Sequence, residues 1–198
     1  MARPLEFWFE FASTYSYLAA ERIEAAAASA GVDLAFRPFL LGPIFAAQGW
    51  SDSPFNVYPV KGRYMWRDME RLAESYGLPL RRPSAFPRNG LLAARVALAH
   101  DREAWIGAFV RKVYRANFAD DRDIADAATL GGILRELALD PGPILAAAAA
   151  DANKARLKAQ TERAMALGVF GAPSFTVGEE LFWGNDRLEQ AIAFAAAT

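Results

Sequence analysis

Apolar and polar residues alternate at the start of the chain. Between residues 5 and 11 every second residue is apolar, namely Leu5, Phe7, Phe9 and Phe11. This period of two predicts a strand with one buried face. An alanine-rich segment, 15–30, then favours a helix that ends at Gly31, and a second alternating segment covers 32–36 before Pro38. The order strand, helix, strand predicts a parallel unit with a right-handed crossover.

The middle of the chain has the pattern of helices. Residues 42–59 contain glycines, prolines and small polar residues and are predicted to be a loop. Apolar residues at helical spacing and N-cap candidates then predict helices over residues 61–76, 90–100, 102–117, 127–137, 141–150 and 151–167.

The end of the chain changes character again. Residues 174–177 and 181–183 flank a short turn and predict a hairpin, and a final helix is predicted over 187–196. Together the two ends give β-α-β and α-β-β-α, the pattern of a thioredoxin-like α/β fold with a large all-helical insertion. We assign residues 1–45 and 155–198 to the thioredoxin-like domain and residues 46–154 to the inserted helical domain.

Composition narrows the class of protein. The chain has 198 residues, of which 54% are hydrophobic and 23% charged, as in globular domains. The net charge of −1 does not indicate a nucleic-acid-binding protein, which would normally carry an excess of positive charge. No apolar run reaches the length of a membrane span, and the first residues lack a signal-peptide layout, so we expect a cytoplasmic protein with no membrane partner.

The chain has no cysteine and a single histidine, His100. A disulfide framework, a thiolate metal site and a protein redox dithiol are therefore excluded, and no metal is expected. His100 follows a predicted helix, where a histidine facing the helix dipole is favoured over a catalytic one. The reactive group is expected to come from a bound molecule.

The segment Ser13-Thr14-Tyr15-Ser16 lies between the first strand and the first helix. Thioredoxin-type oxidoreductases place two cysteines at such a junction because a helix N-terminus lowers the pKa of a thiol. Here serines stand at both places, so the helix end can receive the thiolate of a bound small thiol. The alternative is that Ser13 or Ser16 is only an N-cap.

Two further segments are candidates for binding. Ala172-Pro173 precedes a strand and is compatible with a cis peptide, which would expose the backbone of Ala172 to an extended peptide; an ordinary trans proline is the alternative. Asn185 and Asp186 open the last helix, where they can cap it or hold the carboxylate and ammonium of a ligand. Lys61 is a candidate for the opposite rim, or simply a solvated lysine.

Several of these segments resemble one family. Residues 9–19, 169–174 and 182–188 are similar to the motifs of 2-hydroxychromene-2-carboxylate isomerases, and residues 61–65 resemble a segment shared with kappa-class glutathione transferases. The similarity covers nearly the whole chain in order. It implies a thioredoxin fold with a helical insertion, a homodimer, and glutathione as cofactor.

The resemblance also implies residue roles. Ser13 would hold the glutathione sulfur, Ala172 and Pro173 would pair with the cysteinyl backbone, Asn185 and Asp186 would hold the γ-glutamyl end, and Lys61 would approach the glycyl end or the substrate. The implied reaction converts 2-hydroxychromene-2-carboxylate to trans-o-hydroxybenzylidenepyruvate by transient thiolate addition. The implied partner is therefore a small aromatic substrate.

Two departures from the family pattern leave alternatives open. Thr14 stands where the motif usually has proline and is a rival hydroxyl to Ser13. The family often has an asparagine where this chain has residues 51–53, and Asn56, nearby but out of register, is the substitute candidate for cofactor binding. A kappa-type transferase and a non-catalytic thioredoxin-fold binding protein remain as alternative functions.

Overall fold

A four-stranded sheet forms the centre of the thioredoxin-like part. The computed structural model describes residues 4–197, and in it β1 (Leu5–Phe9) and β2 (Leu34–Pro38) pair in parallel. They are joined by α1 (Thr14–Ser29). β3 (Ser174–Val177) pairs antiparallel with β1 and with β4 (Glu180–Trp183), giving the order β2-β1-β3-β4.

Helices make up the rest of the chain. Three helices follow β2 along the chain, namely α2 (Leu41–Ala47), α3 (Pro54–Val57) and α4 (Pro59–Tyr76). The remaining helices are α5 (Leu91–Ala99), α6 (Ile106–Phe118), α7 (Ala127–Glu136), α8 (Pro141–Ala149), α9 (Asp151–Ala166) and α10 (Leu188–Ala196), the last preceded by a 3-10 turn at Asn185–Arg187.

The alternation of β1 divides the core into two layers. Phe7 and Phe9 are fully buried in the larger core with residues of α1 and α6, whereas Trp8 packs on the other face with Phe39 and Ala164. Burial of both faces explains why Trp8, at a nominally polar position of the alternation, is also inaccessible.

Aromatic rings join the insertion to the sheet. Tyr114 of α6 lies 5.2 Å from the ring centroid of Phe11, and Phe118 stacks on Tyr17 of α1 at 5.7 Å. α9 contacts both β2 and α5, so a single helix crosses the predicted domain boundary at residues 154 and 155.

The predicted fold class is confirmed, but the predicted loop over residues 42–59 is wrong. It contains α2 and α3, and Pro59 begins α4. Prolines in a sequence favour a loop, yet Pro54 and Pro59 occupy first-turn positions, where the missing N–H costs nothing. Within residues 4–197 no helix combines the length and apolar character needed to cross a membrane.

Candidate active site

The junction between β1 and α1 places one hydroxyl at a helix N-terminus. Ser13 is the N-cap of α1, with extended backbone, and its Oγ accepts a hydrogen bond from the Ser16 N–H at 3.3 Å. The Ser13 N–H donates to the Glu10 carbonyl at 2.9 Å, which closes the turn over residues 10–13. The predicted capping role of Ser13 is therefore confirmed, and its side chain stays partly exposed.

A second loop meets Ser13 from the far end of the chain. The Ser13 hydroxyl donates to the carbonyl of Ala172 at 2.9 Å, and the Ala172–Pro173 peptide is cis. Gly184 donates its N–H to the Pro173 carbonyl at 3.0 Å and ties this loop to the end of β4. Two segments singled out separately in the sequence thus form one surface.

The rival hydroxyls of the junction are inaccessible. Thr14 is 2% exposed, and its hydroxyl donates to the sulfur of Met65 at 3.3 Å. Ser16 is 0% exposed and lies beside the Tyr114 hydroxyl. Of the three Ser and Thr hydroxyls in this segment, Ser13 alone reaches the surface.

Neither Asn185 nor Asp186 caps the helical turn after β4, although both are predicted N-cap candidates. The N-cap position of the 3-10 turn is Gly184, with φ at +110°, and no side chain caps the turn. The Asn185 side chain is buried, donates to the Tyr76 hydroxyl at 3.3 Å and accepts from Arg22 at 3.2 Å. Its amide is thus already occupied by protein groups, and a contact with a ligand would use its backbone.

Asp186 is exposed and lies on the same side of the molecule as a tyrosine–aspartate pair. Its carboxylate is 3.3 Å from Arg187. The Tyr15 hydroxyl donates to Asp68 at 2.9 Å, and the pKa of Tyr15 is raised by burial, by this hydrogen bond and by the negative charges of Asp68 and Asp186. Asp68 was missed in the sequence because it lies in the middle of a helix with no motif around it.

Asn56 and Lys61, which are predicted for the opposite rim of the site, lie in α3 and in the first turn of α4. Lys61 lies in the first turns of α4, exposed, with its ammonium 4.9 Å from the ring centroid of Tyr58. Asn56 donates to Asp52 at 3.0 Å and to the Phe86 carbonyl at 3.4 Å. Met65, one helical turn after Lys61, contacts Thr14, so this rim adjoins the start of α1. The roles of both residues stay predictions.

Glu10 is a second residue that the sequence analysis did not single out. It follows the last residue of β1, and its carboxylate accepts a hydrogen bond from the Ala12 N–H at 2.9 Å. Burial raises the pKa of Glu10 to about 7, and the bond from Ala12 opposes part of that shift. In the sequence it is only a polar position in an alternating strand.

Exposed aromatic side chains flank the Ala172 loop. Phe170 and Trp183 have ring centroids 4.8 Å apart and are 44% and 53% exposed. Gly171 is required between them, because a Cβ there would come within 2.5 Å of the indole nitrogen. This pair leaves apolar surface beside Ala172.

Comparison with known proteins identifies the family. A model of the DSBA-like thioredoxin domain matches residues 4–193. A 2-hydroxychromene-2-carboxylate isomerase of Sphingobium xenophagum is 31% identical over 191 residues, which is 96% of each chain. The chain belongs to the 2-hydroxychromene-2-carboxylate isomerase family.

Other isomerase-family and transferase relatives agree with this assignment. A solved 2-hydroxychromene-2-carboxylate isomerase superposes with a TM-score of 0.87 at 26% identity, covering 98% of this chain and 94% of the other. Human glutathione S-transferase kappa 1 is 28% identical, over 96% of this chain and 89% of its own. The predicted resemblance is confirmed, and the family indicates an enzyme of the isomerase type.

Proposed function

We propose that this chain is a glutathione-dependent isomerase that converts 2-hydroxychromene-2-carboxylate to trans-o-hydroxybenzylidenepyruvate, or acts on a closely related aromatic intermediate. The observation that carries the proposal is the position of the Ser13 hydroxyl. It is partly exposed at the N-terminus of α1 and lies 2.9 Å from the carbonyl that precedes a cis proline.

The residues at this position fit a thiolate. Backbone N–H groups at the first turn of α1 and the positive end of its dipole favour an anion, and Ser13 can donate a hydrogen bond to it. The chain contains no cysteine to occupy the place itself. Bound there, glutathione would supply a sulfur nucleophile for a conjugated double bond.

The energies are sufficient for ionisation near neutral pH. A free thiol has a pKa near ~8.5, and lowering it by one unit takes about 1.4 kcal/mol. A hydrogen bond to a charged acceptor contributes about 1.5–3 kcal/mol, so one hydroxyl together with the helix end can make the thiol mostly ionised. Ser13 acts here as a donor and need not lose its own proton.

The bond between Ser13 and Ala172 suggests how the hydroxyl becomes available. A peptide ligand that pairs with Ala172 as an added strand would donate its own N–H to that carbonyl. The Ser13 hydroxyl, which now donates to Ala172, would then be free to turn toward sulfur while its oxygen still accepts from Ser16. Ligand pairing and thiolate stabilisation would thus be coupled at one carbonyl.

The charges on either side suit the two ends of glutathione. Asp186 and Asp68, whose charges both act on Tyr15, give an acidic side that can attract the γ-glutamyl ammonium. Lys61 gives a cationic rim for the glycyl carboxylate or for the carboxylate of the substrate. Phe170 and Trp183 offer apolar surface for an aromatic ring.

A kappa-type glutathione transferase is the second candidate. It is favoured by the similarity to kappa-class proteins of human and Caenorhabditis elegans, at 28% and 22% identity over nearly the whole chain. Both candidates use the same sulfur position and differ in whether glutathione is consumed. The isomerase is preferred because the relatives with higher identity carry that name.

Calorimetric titration with reduced glutathione tests the common part of both candidates. We expect heat of binding at millimolar ligand, and no heat would leave the non-catalytic binding protein as the alternative. Turnover of 2-hydroxychromene-2-carboxylate with catalytic glutathione then separates the two. Product without loss of glutathione supports the isomerase, whereas a conjugate with 1-chloro-2,4-dinitrobenzene and no isomerisation would support the transferase.

A further inference from the structure

Glu10 belongs to the same turn as Ser13. Its carbonyl accepts the N–H of Ser13 and the hydroxyl of Tyr114, each at 2.9 Å, and its carboxylate accepts the N–H of Ala12 at 2.9 Å. The backbone of Glu10 is therefore fixed, and its carboxylate is held beside the N–H of Ala12, the residue that precedes Ser13.

This arrangement limits the distance between the carboxylate and the proposed sulfur position. Ala12 is the residue next to Ser13, so its N–H and the Ser13 hydroxyl are at most about 7 Å apart. Glu10, Ala12 and Ser13 are all partly exposed, and so is Ala172, whose carbonyl accepts the Ser13 hydroxyl. Together with the 2.9 Å bond to Ala12, this limit of about 7 Å places the carboxylate within about 10 Å of the Ser13 hydroxyl, a separation that the bound sulfur and one or two water molecules can bridge.

No cation neutralises this carboxylate among residues 4–197. The side chain of Arg88, three residues before the start of α5, is engaged by Asp121 and by the Asn117 side chain. Tyr114 is the titratable group that faces Glu10 from α6, and burial raises its pKa well above the ordinary value, so it stays neutral. Tyr114 in turn lies beside the uncharged Ser16 of α1.

The start of α5 approaches Glu10 with backbone alone. A Cβ at Gly90 would lie 3.1 Å from a carboxylate oxygen of Glu10 and 2.8 Å from the Cβ of Phe11. The absence of a side chain there makes room for the carboxylate and shields one side of it from water. Burial, to which this approach contributes, raises the pKa of Glu10 to about 7, a value that suits proton exchange near neutral pH.

We propose that Glu10 is the acid–base residue that exchanges a proton with the thiol of bound glutathione. The carboxylate takes the proton as the S–H bond breaks with its electron pair left on sulfur, and it returns the proton when the thiol forms again. The step moves only a proton between sulfur and the carboxylate, so it needs no other reactant. This inference depends on the proposed use of glutathione and adds a second group to the sulfur site.

Carbon-13 NMR of labelled glutamate carboxyl groups tests it without turnover. In the free enzyme we expect one carboxyl to titrate near pH 7, and its signal is assigned to Glu10 by its absence in Glu10→Gln. Because a nearby thiolate disfavours a second negative charge, glutathione should move this midpoint upward relative to S-methylglutathione, which has no thiol proton.

The pH dependence of kcat/KM gives a second readout. We expect an inflection near pH 7 in the wild type that disappears in Glu10→Gln together with a fall in rate of about 100-fold, a typical share of general acid–base catalysis. Glu10→Asp should keep an inflection at reduced rate. Glu6→Gln is the matched control on the same strand and should keep the wild-type inflection.

The outcomes separate this inference from the proposed function. If glutathione binds and supports turnover but shifts the Glu10 midpoint no more than S-methylglutathione does, Glu10 is not the proton partner and the function stands. A wild-type pH profile in Glu10→Gln has the same meaning. If calorimetry detects no glutathione binding, both proposals are overturned.

Discussion

The two ends of β1 carry one glutamate each, in opposite environments. Glu6 and Glu10 are four residues apart on the same side of the strand's alternation. The Glu6 carboxylate accepts hydrogen bonds from Arg37 at 2.8 Å and Arg163 at 2.7 Å, whereas the Glu10 carboxylate has no ion pair in residues 4–197 and accepts only from the Ala12 N–H. The pKa of Glu6 is lowered, and that of Glu10 is raised to about 7.

The Glu6 end is a closed polar network. Although burial by itself would raise the pKa of Glu6, the bonds from Arg163 and Arg37 outweigh it. Thr176 also donates to Glu6 at 3.1 Å and accepts from the Trp8 indole at 2.9 Å, and Arg163 lies over that indole at 5.0 Å. Such a satisfied network favours the charged form and stabilises the fold.

The difference separates the end of the strand that contributes stability from the end at which we propose chemistry. Sites in α/β folds collect at the carboxyl ends of strands, and Glu10, Ser13 and the start of α1 lie at that end of β1. An unpaired, partly buried carboxyl opposes folding above its unfolded pKa, a cost typical of functional groups. Substitutions at the two ends should therefore affect rate and stability in different ways.

The largest effect is expected for Ser13→Ala at the reactive end. Loss of one charge-assisted hydrogen bond predicts a fall in kcat/KM of about 10–100-fold with glutathione present. Ser13→Asp is the matched variant, because aspartate keeps the N-cap but offers no hydroxyl donor. Steady-state kinetics and thermal unfolding together separate the two roles, and an unchanged rate in both variants would remove Ser13 from the site.

Glu6→Gln should lower stability at the opposite end. Since the folded pKa of Glu6 is below its unfolded value, the carboxylate stabilises the fold above the unfolded value near 4.5, and this contribution is lost as pH falls through the folded pKa. We expect a loss of about 1–3 kcal/mol at pH 7 from two charged hydrogen bonds, measured by denaturant unfolding. An equal loss at low pH would contradict the electrostatic cause.

Glu10→Gln should have the opposite sign. The folded pKa is raised from 4.5 to about 7, so the folded state loses stability relative to the variant as pH rises through this range. The variant should be more stable by about 1–2 kcal/mol above pH 7, since partial exposure reduces the full effect, and equal to the wild type below pH 4.5. Unfolding curves that show Glu10→Gln less stable at high pH would refute the contrast between the glutamates.

The smallest effect is expected for Asp186→Asn. Its carboxylate is exposed, and a contact with a ligand ammonium would be screened by solvent. We expect a rise in the Kd for glutathione of about 2–5-fold, with little change in kcat. Calorimetry at two salt concentrations measures it, and the difference from the wild type should shrink at high salt.

The sequence predicted the framework because its signals are local. The alternation of β1, the helix after Ser13 and the hairpin near the end depend on residues close together in the chain, and the structure confirms them. The cis Ala172–Pro173 bond and its meeting with Ser13 also agree with the motif analysis.

The opposite pKa shifts of Glu6 and Glu10 could not be predicted from local sequence patterns. Arg163 is separated from Glu6 by 157 positions, and Gly90 approaches Glu10 from the helical insertion. The choice between Ser13 and its rivals likewise required Met65 and Tyr114, which bury Thr14 and Ser16 from other helices. These properties depend on long-range packing, which no local pattern encodes.

The central claim is that Ser13 and the end of α1 hold a sulfur anion. The most direct measurement is the pH titration of enzyme-bound glutathione by the ultraviolet absorbance of its thiolate, in the wild type and in Ser13→Ala. We predict a thiol pKa well below the ordinary ~8.5 in the wild type and a partial return toward that value in Ser13→Ala. A bound thiol that titrates as it does in free solution would contradict the account.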